Sequence, residues 1–99
     1  MAQYLINKLA SHDLNEIADY FAVNNVSAGE KFFNDFIRKC KQLVTFPNSR
    51  KSYDYIYSGL KGVPLSSYIV FYCVLEDGIE ILRVISGRRD LLTAFQENL

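Results

Sequence analysis

Four cations in the C-terminal half of the chain have the clearest capacity for chemistry: Lys61, Arg83, Arg88 and Arg89. Ammonium and guanidinium groups bind phosphates and carboxylates, so these side chains could contact an acidic partner or a nucleic acid. Cleaving a bond would also require a group that exchanges a proton near neutral pH. Cations without such a group indicate binding rather than catalysis.

Histidine and cysteine chemistry is restricted by the composition. The chain has one histidine, His12, and two cysteines, Cys40 and Cys73, which are far apart in sequence. A zinc site or a histidine-activated nucleophile would have to use that single imidazole. There is also no glycine-rich phosphate loop. We therefore predict no catalytic residue, no metal site and no cofactor, with both cysteines as thiols in a reducing compartment.

The charge is unevenly distributed along the chain, although the 11 basic and 11 acidic residues cancel. Residues 1–37 hold two lysines and five acids, a net charge of −3, and residues 38–99 hold nine basic residues and six acids, a net charge of +3. This asymmetry favours a specific acidic partner, because general binding to nucleic acid usually needs a clearly basic domain. The alternative is an ordinary mixed surface. We expect no direct nucleic-acid binding.

Length and composition place the chain among ordinary globular proteins. Its 99 residues, 49% hydrophobic and 22% charged, predict one domain over residues 1–99. No apolar run approaches the roughly 18 residues of a membrane helix, and the first residues do not resemble a signal peptide. We expect a cytoplasmic protein with no membrane contact.

The first half of the chain predicts a strand and two helices. Tyr4–Ile6 is a short apolar run. A capping box of Asp13 and Glu16 predicts a helix that starts near Ser11 or Asp13 and closes at Asn24 and Asn25, and a second box predicts another helix from Ser27 to Phe46. Two helices joined this closely form an antiparallel hairpin.

The second half predicts strands. We expect a weak strand at 56–60, an interior strand at 68–75, a hairpin turn at Asp77-Gly78, a returning strand at 79–86 and a short helix capped by Asp90. The order β-α-α-β-β-β with a possible C-terminal helix defines an α+β fold, in which the hairpin packs on one face of a small antiparallel sheet. The other face is left for function.

The strand periodicity places Ile79, Ile81, Arg83 and Ile85 on one face and Glu80, Leu82, Val84 and Ser86 on the other. Arg83 could be an exposed contact at one end of the sheet, or an internal ion-pair partner of an acid on a neighbouring strand. Arg88 and Arg89 could be exposed contacts or a solvated turn.

Three tyrosines precede the strands. Tyr53, Tyr55 and Tyr57 could stack on bases or pack at a strand edge, and packing is favoured.

Four segments from Gly59 onward follow one another in a characteristic order and spacing: YIVFY at 68–72, Asp77-Gly78, IEILRV at 79–84 and GRRD at 87–90. In these segments the chain resembles the RelE/ParE superfamily of type II toxin–antitoxin toxins, in its ParE-like branch. The first helix, around EIADY at 16–20, is a looser match. The chain departs from the family at Gly62, Cys73 and Ser86, where a basic residue, an arginine and a histidine are common.

The resemblance implies a toxin that inhibits DNA gyrase by binding it, with Lys61, Arg83, Arg88 and Arg89 on the target-binding surface. RelE-like relatives instead cleave messenger RNA on the ribosome. Where they carry an arginine and a tyrosine, this chain has Ile69 and Phe95, so ribonuclease activity is disfavoured. A third possibility is a non-toxic remnant that only binds the antitoxin.

The resemblance also implies a protein partner. Antitoxins of this class typically lay an acidic C-terminal segment over the sheet and helix hairpin of the toxin. We expect a hetero-oligomer with such an antitoxin, with Phe33 and Ile37 partly facing it.

Overall fold

A computed structural model of the chain describes residues 3–96. Its elements, in chain order, are β1 (Gln3–Ile6), α1 (Lys8–Asn24), α2 (Val26–Thr45), β2 (Lys51–Ser52), β3 (Lys61–Leu65), β4 (Tyr68–Leu75), β5 (Gly78–Ser86) and α3 (Leu91–Gln96). The predicted α+β class is confirmed. No helix within residues 3–96 is long and apolar enough to cross a membrane.

Helix α1 begins earlier than predicted. The side chain of Asn7 accepts a hydrogen bond from the backbone N–H of Leu9 at 2.7 Å and so caps the helix. The predicted start at Ser11 or Asp13 is wrong, because the first unpaired N–H groups belong to the turn after Asn7. Asp13 lies inside the helix and its carboxylate bonds to the sheet.

One residue, Asn25, both ends α1 and begins α2. Its N–H donates to the carbonyl of Phe21 at 2.8 Å, and its side chain accepts from the N–H of Ala28 at 3.1 Å. The predicted cap at Ser27 is therefore wrong by two positions, whereas the predicted end of α1 is confirmed. A shared cap leaves no linker between the helices and fixes the hairpin.

The sheet is mixed, in the order β1-β5-β4-β3-β2. The pairings of β3 with β4 and of β4 with β5 are antiparallel, as predicted. The two-residue strand β2, which the sequence did not predict, also pairs antiparallel with β3. The antiparallel prediction fails for β1, which runs parallel to β5 with Gln3 opposite Gly78 and Ile6 opposite Ile81. A tight turn forces antiparallel pairing, but a connection as long as that between β1 and β5 permits either direction.

The third strand lies later in the chain than predicted. Residues 56–60 form turns, and the strand comprises Lys61–Leu65. The N–H of Tyr53 donates to the carbonyl of Leu60 at 2.8 Å, which closes residues 53–60 into a loop. Pro64 is tolerated within β3 because β2 pairs only with Lys61 and Gly62. At Pro64 the outer edge of β3 has no partner strand, so the N–H that proline lacks is not needed for pairing.

Both faces of the sheet are covered. One cluster joins the hairpin to the sheet and includes Phe32, Phe36, Cys40, Leu43, Val70, Tyr72, Ile79 and Ile81. A second cluster lies on the opposite face and includes Tyr53, Leu60, Phe71, Ile85 and Ala94. The prediction that this second face is left open is wrong, because α3 and the 53–60 loop supply apolar side chains that bury it.

A β-bulge changes the orientation of side chains in β5. The register with β4 shifts between Phe71 and Tyr72, so that Phe71 is opposite Arg83 and Tyr72 is opposite Ile81. Ile81 and Val84 consequently both join the helix-side cluster, whereas Ile85 joins the opposite one. The predicted alternation fails beyond Ile81, because a bulge inserts one extra residue into the strand.

Candidate functional site

Arg83 lies at the centre of a buried polar cluster. Its Nε donates to Oδ2 of Asp13 at 2.8 Å and its Nη2 donates to Oδ1 at 3.0 Å, a bidentate ion pair. Its Nη1 donates to the backbone carbonyl of Ala94 at 3.2 Å, and its guanidinium lies 5.9 Å from the centroid of the Phe95 ring. Arg83 thus joins α1, β5 and α3.

The carboxylate of Asp13 also accepts a hydrogen bond from the backbone of β5, at the edge of that strand that β1 does not cover. Strand β1 stops at Ile6, opposite Ile81, so the backbone of β5 beyond that point has no neighbouring strand on this side. The N–H of Val84 donates to Oδ2 of Asp13 at 2.9 Å. The carboxylate on α1 therefore accepts the hydrogen bond that a neighbouring strand would otherwise accept, because a buried N–H needs a hydrogen-bond partner.

Burial decides between the two interpretations of Arg83. The residue is 6% exposed and Asp13 is 9% exposed. The expectation of an exposed contact is wrong, since all three sides of the guanidinium face protein groups. The internal ion pair is confirmed, but its acid lies on helix α1 and not on a neighbouring strand.

Arg88 and Arg89 lie in an exposed turn beside this cluster. The backbone is well fixed: Gly87 N–H donates to the carbonyl of Ser67 at 2.9 Å, and Arg89 N–H donates to the carbonyl of Ser86 at 3.1 Å. Asp90 then accepts from the hydroxyl of Thr93 and begins α3, as predicted. The turn presents two guanidinium groups at one end of the sheet.

Lys61 does not join that turn. Across the sheet, Ser86 is opposite Tyr68 and Tyr68 is opposite Leu65, whereas Lys61 is opposite Tyr72. Four residues of extended strand, about 13 Å, therefore separate Lys61 from the end that carries Arg88. The four cations predicted to act together occupy three different environments.

A crevice beside the arginine turn was not predicted. It lies between α1 and the ends of β4 and β5, and its lining includes Glu16, Tyr20, Tyr68, Ser86 and Arg89. Burial raises the pKa of the Tyr68 phenol, and the neighbouring Tyr20 raises it further. The residues come from distant parts of the chain, so no local pattern could have assembled them.

Phe33 and Ile37 lie one helical turn apart on an outer flank of α2. Ile37 is 43% exposed, and Phe33 is half-buried against Phe32. Phe33 lines a groove between the two helices together with Phe21 and Val26. The helices approach closely because Gly29 has no side chain: a Cβ there would lie 2.7 Å from Cβ of Phe21. The flank is accessible to a partner.

The other flank of α2 carries a second feature that the sequence did not predict, here called the basic groove. It lies between α2 and the end of β3, and it is lined by Lys31, Asp35, Arg38, Lys39, Gln42, Pro64, Leu65 and Ser66. A spacing of three, four or seven residues along α2 could have indicated that these polar side chains share a face.

The positions that distinguish a ribonuclease lie in the second core cluster. Ile69 and Phe95 both pack against it, and the ring of Phe95 meets that of Phe71 edge-on at 5.1 Å between centroids. Tyr53 is buried there as well, whereas Tyr55 and Tyr57 are exposed. The packing interpretation is therefore correct for Tyr53 alone.

Together these features define a small α+β protein with exposed cations, grooves on its helix hairpin and a packed sheet. Residues 4–91 match the family model of the ParE toxin of the type II toxin-antitoxin system, parDE. The chain therefore belongs to the ParE toxin family. A chain of the chromosomal ParDE TA system from P. aeruginosa has the same fold, with a TM-score of 0.68 and 22% identity over 87% of this chain and 96% of that one. No curated protein matches significantly.

Proposed function

We propose that this member of the ParE toxin family inhibits bacterial DNA gyrase by binding it and is neutralised by a cognate antitoxin. Membership of the ParE toxin family supports the role of a toxin. The packing of Arg83 and Phe95 supports inhibition by binding rather than by cleavage of RNA. Arg83 is engaged on all sides, and Phe95 is half-buried against the second core cluster. The sheet face that carries Phe71 and Ile85 is therefore filled by apolar side chains.

The arginine turn is the best candidate for the target-binding surface. Arg88 and Arg89 are exposed on a backbone fixed by hydrogen bonds, so little backbone conformational entropy is lost when they bind. Arginine is also enriched among the residues that dominate protein interfaces. Lys61 is a separate, more distant contact in this proposal, and Arg83 holds the turn's strand in place without touching the target.

The antitoxin occupies the flank of α2 marked by Phe33 and Ile37 in this proposal. Exposed apolar side chains beside a groove between two helices suit the apolar face of an amphipathic helix. The complex is a hetero-oligomer, and gyrase as the target places the toxin in the bacterial cytoplasm.

A supercoiling assay tests the target. Purified gyrase is titrated with the toxin after any bound antitoxin has been removed, and circular dichroism verifies that the toxin is folded. We expect loss of supercoiling or accumulation of cleaved DNA. Unchanged gyrase activity with folded toxin would contradict the proposal, and cleavage of ribosome-bound mRNA by the same sample would favour the ribonuclease alternative.

A further inference from the structure

The outer edge of β1 is placed to pair with a further strand. Among the strands of residues 3–96, β1 is the outermost on its side of the sheet. The N–H groups of Gln3 and Asn7 donate to carbonyls of β5 and its turn, at 3.2 and 3.0 Å. Because alternate residues of a strand point their backbone groups to opposite sides, Tyr4 and Ile6 direct theirs away from β5. The edge therefore offers the N–H and C=O groups of two residues to another strand.

The two edges of the sheet differ in their protection against pairing. The opposite edge consists of the two-residue strand β2, which contains Lys51, and of the part of β3 that contains Pro64. Extreme shortness, lysine and proline are the features that keep an edge from pairing. Strand β1 has no lysine or proline within Gln3–Ile6, and Leu5 is 50% and Ile6 39% exposed. An edge of this kind is suited to pairing.

We propose that the β1 edge pairs with the same edge of a second copy of this chain. With the two-fold axis at Leu5, Tyr4 of each chain is opposite Ile6 of the other, and each such pair exchanges two hydrogen bonds. All the outward groups of both residues are then bonded. Leu5 meets Leu5 of the second copy as a close pair without hydrogen bonds. The strand complements itself, so a second copy suffices as the partner.

A groove beside β1 fits a side chain of the second copy. It lies between β1 and α2, has a volume of about 280 Å³ and is lined by Gln3, Tyr4, Lys41 and Val44. Tyr4 and Val44 supply apolar walls, and Lys41 is exposed to solvent. In the proposed register, Ile6 of the second copy lies beside Tyr4 at this groove, and an aromatic ring opposite a β-branched residue is a favourable cross-strand pair. The groove thus covers an isoleucine that is exposed in the single chain.

Opposite charges approach each other across the same axis. Lys8 follows the Asn7 end of β1, and Asp77 lies beside the Gln3 end, where its carbonyl accepts from Gln3; both charged side chains are exposed. Within one chain these ends are four residues of strand apart, about 13 Å. Antiparallel pairing brings the Asn7 end of each copy beside the Gln3 end of the other. Lys8 of each chain therefore approaches Asp77 of its neighbour, which gives the dimer two such pairs.

Association of the whole chain, without antitoxin, tests the dimer. The contact is small for a specific interface, so the dimer is weak: sedimentation velocity should show monomer at about 5 µM and mostly dimer at about 500 µM. Amide exchange at Tyr4 and Ile6 should slow over the same range, whereas the N–H of Leu5, which faces β5, should exchange at a constant rate. A monomer at the higher concentration, or a dimer without slower exchange at Tyr4 and Ile6, would overturn the proposal.

Two substitutions at Ile6 separate strand pairing from apolar contact. Ile6→Pro removes an outward N–H from each chain and leaves the bonds of β1 to β5 in place. Ile6→Ala removes the side chain but keeps that N–H. Association of Ile6→Pro should be at least tenfold weaker than that of Ile6→Ala, with circular dichroism verifying both folds. Equal affinities would mean that the edge does not pair through its backbone.

Exchanging the two charges gives a test that unfolding cannot imitate. Lys8→Glu or Asp77→Lys alone should weaken association about fivefold at low salt, because each places two like-charge pairs at the contact. The double variant restores opposite charges and should dimerise within about twofold of the original chain. Lys39→Glu, in the basic groove, has the same change in charge as Lys8→Glu and should have no effect. A folded double variant that stays as weak as the single ones would contradict the pairing.

The dimer is independent of gyrase and of the flank of α2 marked by Phe33 and Ile37. Supercoiling that the toxin leaves unchanged would therefore refute the proposed target without affecting the dimer. If exchange at Tyr4 and Ile6 slows only when antitoxin is added and never with toxin concentration, the edge binds the antitoxin instead. The dimer proposal then fails and the proposed function stands.

Discussion

Asp13 and Arg83 form a bidentate ion pair across 70 residues of sequence, at 2.8 and 3.0 Å. Asp13 also accepts from the backbone of β5, and Arg83 also donates to the carbonyl of Ala94 in α3. Every charged atom of the pair has a partner, which a buried ion pair requires. The pair therefore fixes the helix hairpin and α3 relative to the strand that leads into the arginine turn.

Arg83→Met should destabilise the protein by about 3–5 kcal/mol, because it leaves the Asp13 carboxylate buried without a counter-charge. Urea denaturation measures the free energy of unfolding. The matched control is Lys31→Met, which breaks an exposed ion pair and should change the free energy of unfolding far less. Equal losses in the two variants would show that Arg83 does not stabilise the fold.

Gly78→Ala should detach β1 from the sheet. A Cβ at Gly78 would clash with the backbone carbonyl oxygen of Gln3, so the strands must separate. We expect a loss of about 1–3 kcal/mol and faster amide exchange in β1. Gly87→Ala is the control, because its Cβ would meet nothing closer than 3.5 Å. A wild-type exchange pattern in Gly78→Ala would contradict the parallel pairing.

Arg88→Ala combined with Arg89→Ala should relieve growth inhibition in cells that express the toxin. Both residues are exposed, so the melting temperature should change little. Lys8→Ala with Lys41→Ala has the same change in charge and should remain toxic. Full toxicity of the arginine variant at equal expression would exclude the turn as the target-binding surface.

Ile37→Asp should weaken binding of the antitoxin by tenfold or more, because it places a charge at an apolar contact. Ile37 is already 43% exposed, so stability should be nearly unchanged. Val23→Asp, at a position that is 86% exposed near the end of α1, is the control and should bind normally. Titration calorimetry with the antitoxin encoded next to the toxin gives both affinities.

Cys40 should be unreactive in the folded protein. Burial raises the pKa of its thiol to about 12, from a usual value of 9.0. Folding therefore favours the neutral thiol: this contribution is complete below pH 9 and is lost as the pH rises from 9 towards 12. A thiol reagent at pH 8 should label Cys73 before unfolding and Cys40 only afterwards, and Cys40→Ala should flatten the alkaline loss of stability. Equal labelling rates in the folded protein would contradict this.

The sequence predicted the regular elements well where the pattern was local. The helix hairpin, the strands β4 and β5 and the cap at Asp90 all follow from short-range periodicity and capping. Asp13 shows where that approach fails. Its spacing to Glu16 is that of a capping box, but its partner is Arg83, far along the chain. No local pattern reveals such a pairing.

The site was predicted less well than the fold, for two physical reasons. A bulge in β5 changed which residues face each side, so the environment of Arg83 could not be read from alternation. The exposure of each side of α2 depends on which other element packs against it. Phe33 and the basic side chains belong to one helix, and only the packed structure shows that they serve opposite sides of it.

The pairing of β1 with β5 has a consequence for synthesis of the toxin on the ribosome. Strand β1 is translated before both helices, but its partner residues 78–81 follow only after both helices and β4. The sequence of the hairpin of α1 and α2 is complete at residue 45, before any residue of β3, β4 or β5 has been added. The surface proposed for the antitoxin is thus translated before the arginine turn. In the proposed function, the nascent chain therefore contains its antitoxin-binding surface before its target-binding surface has been made.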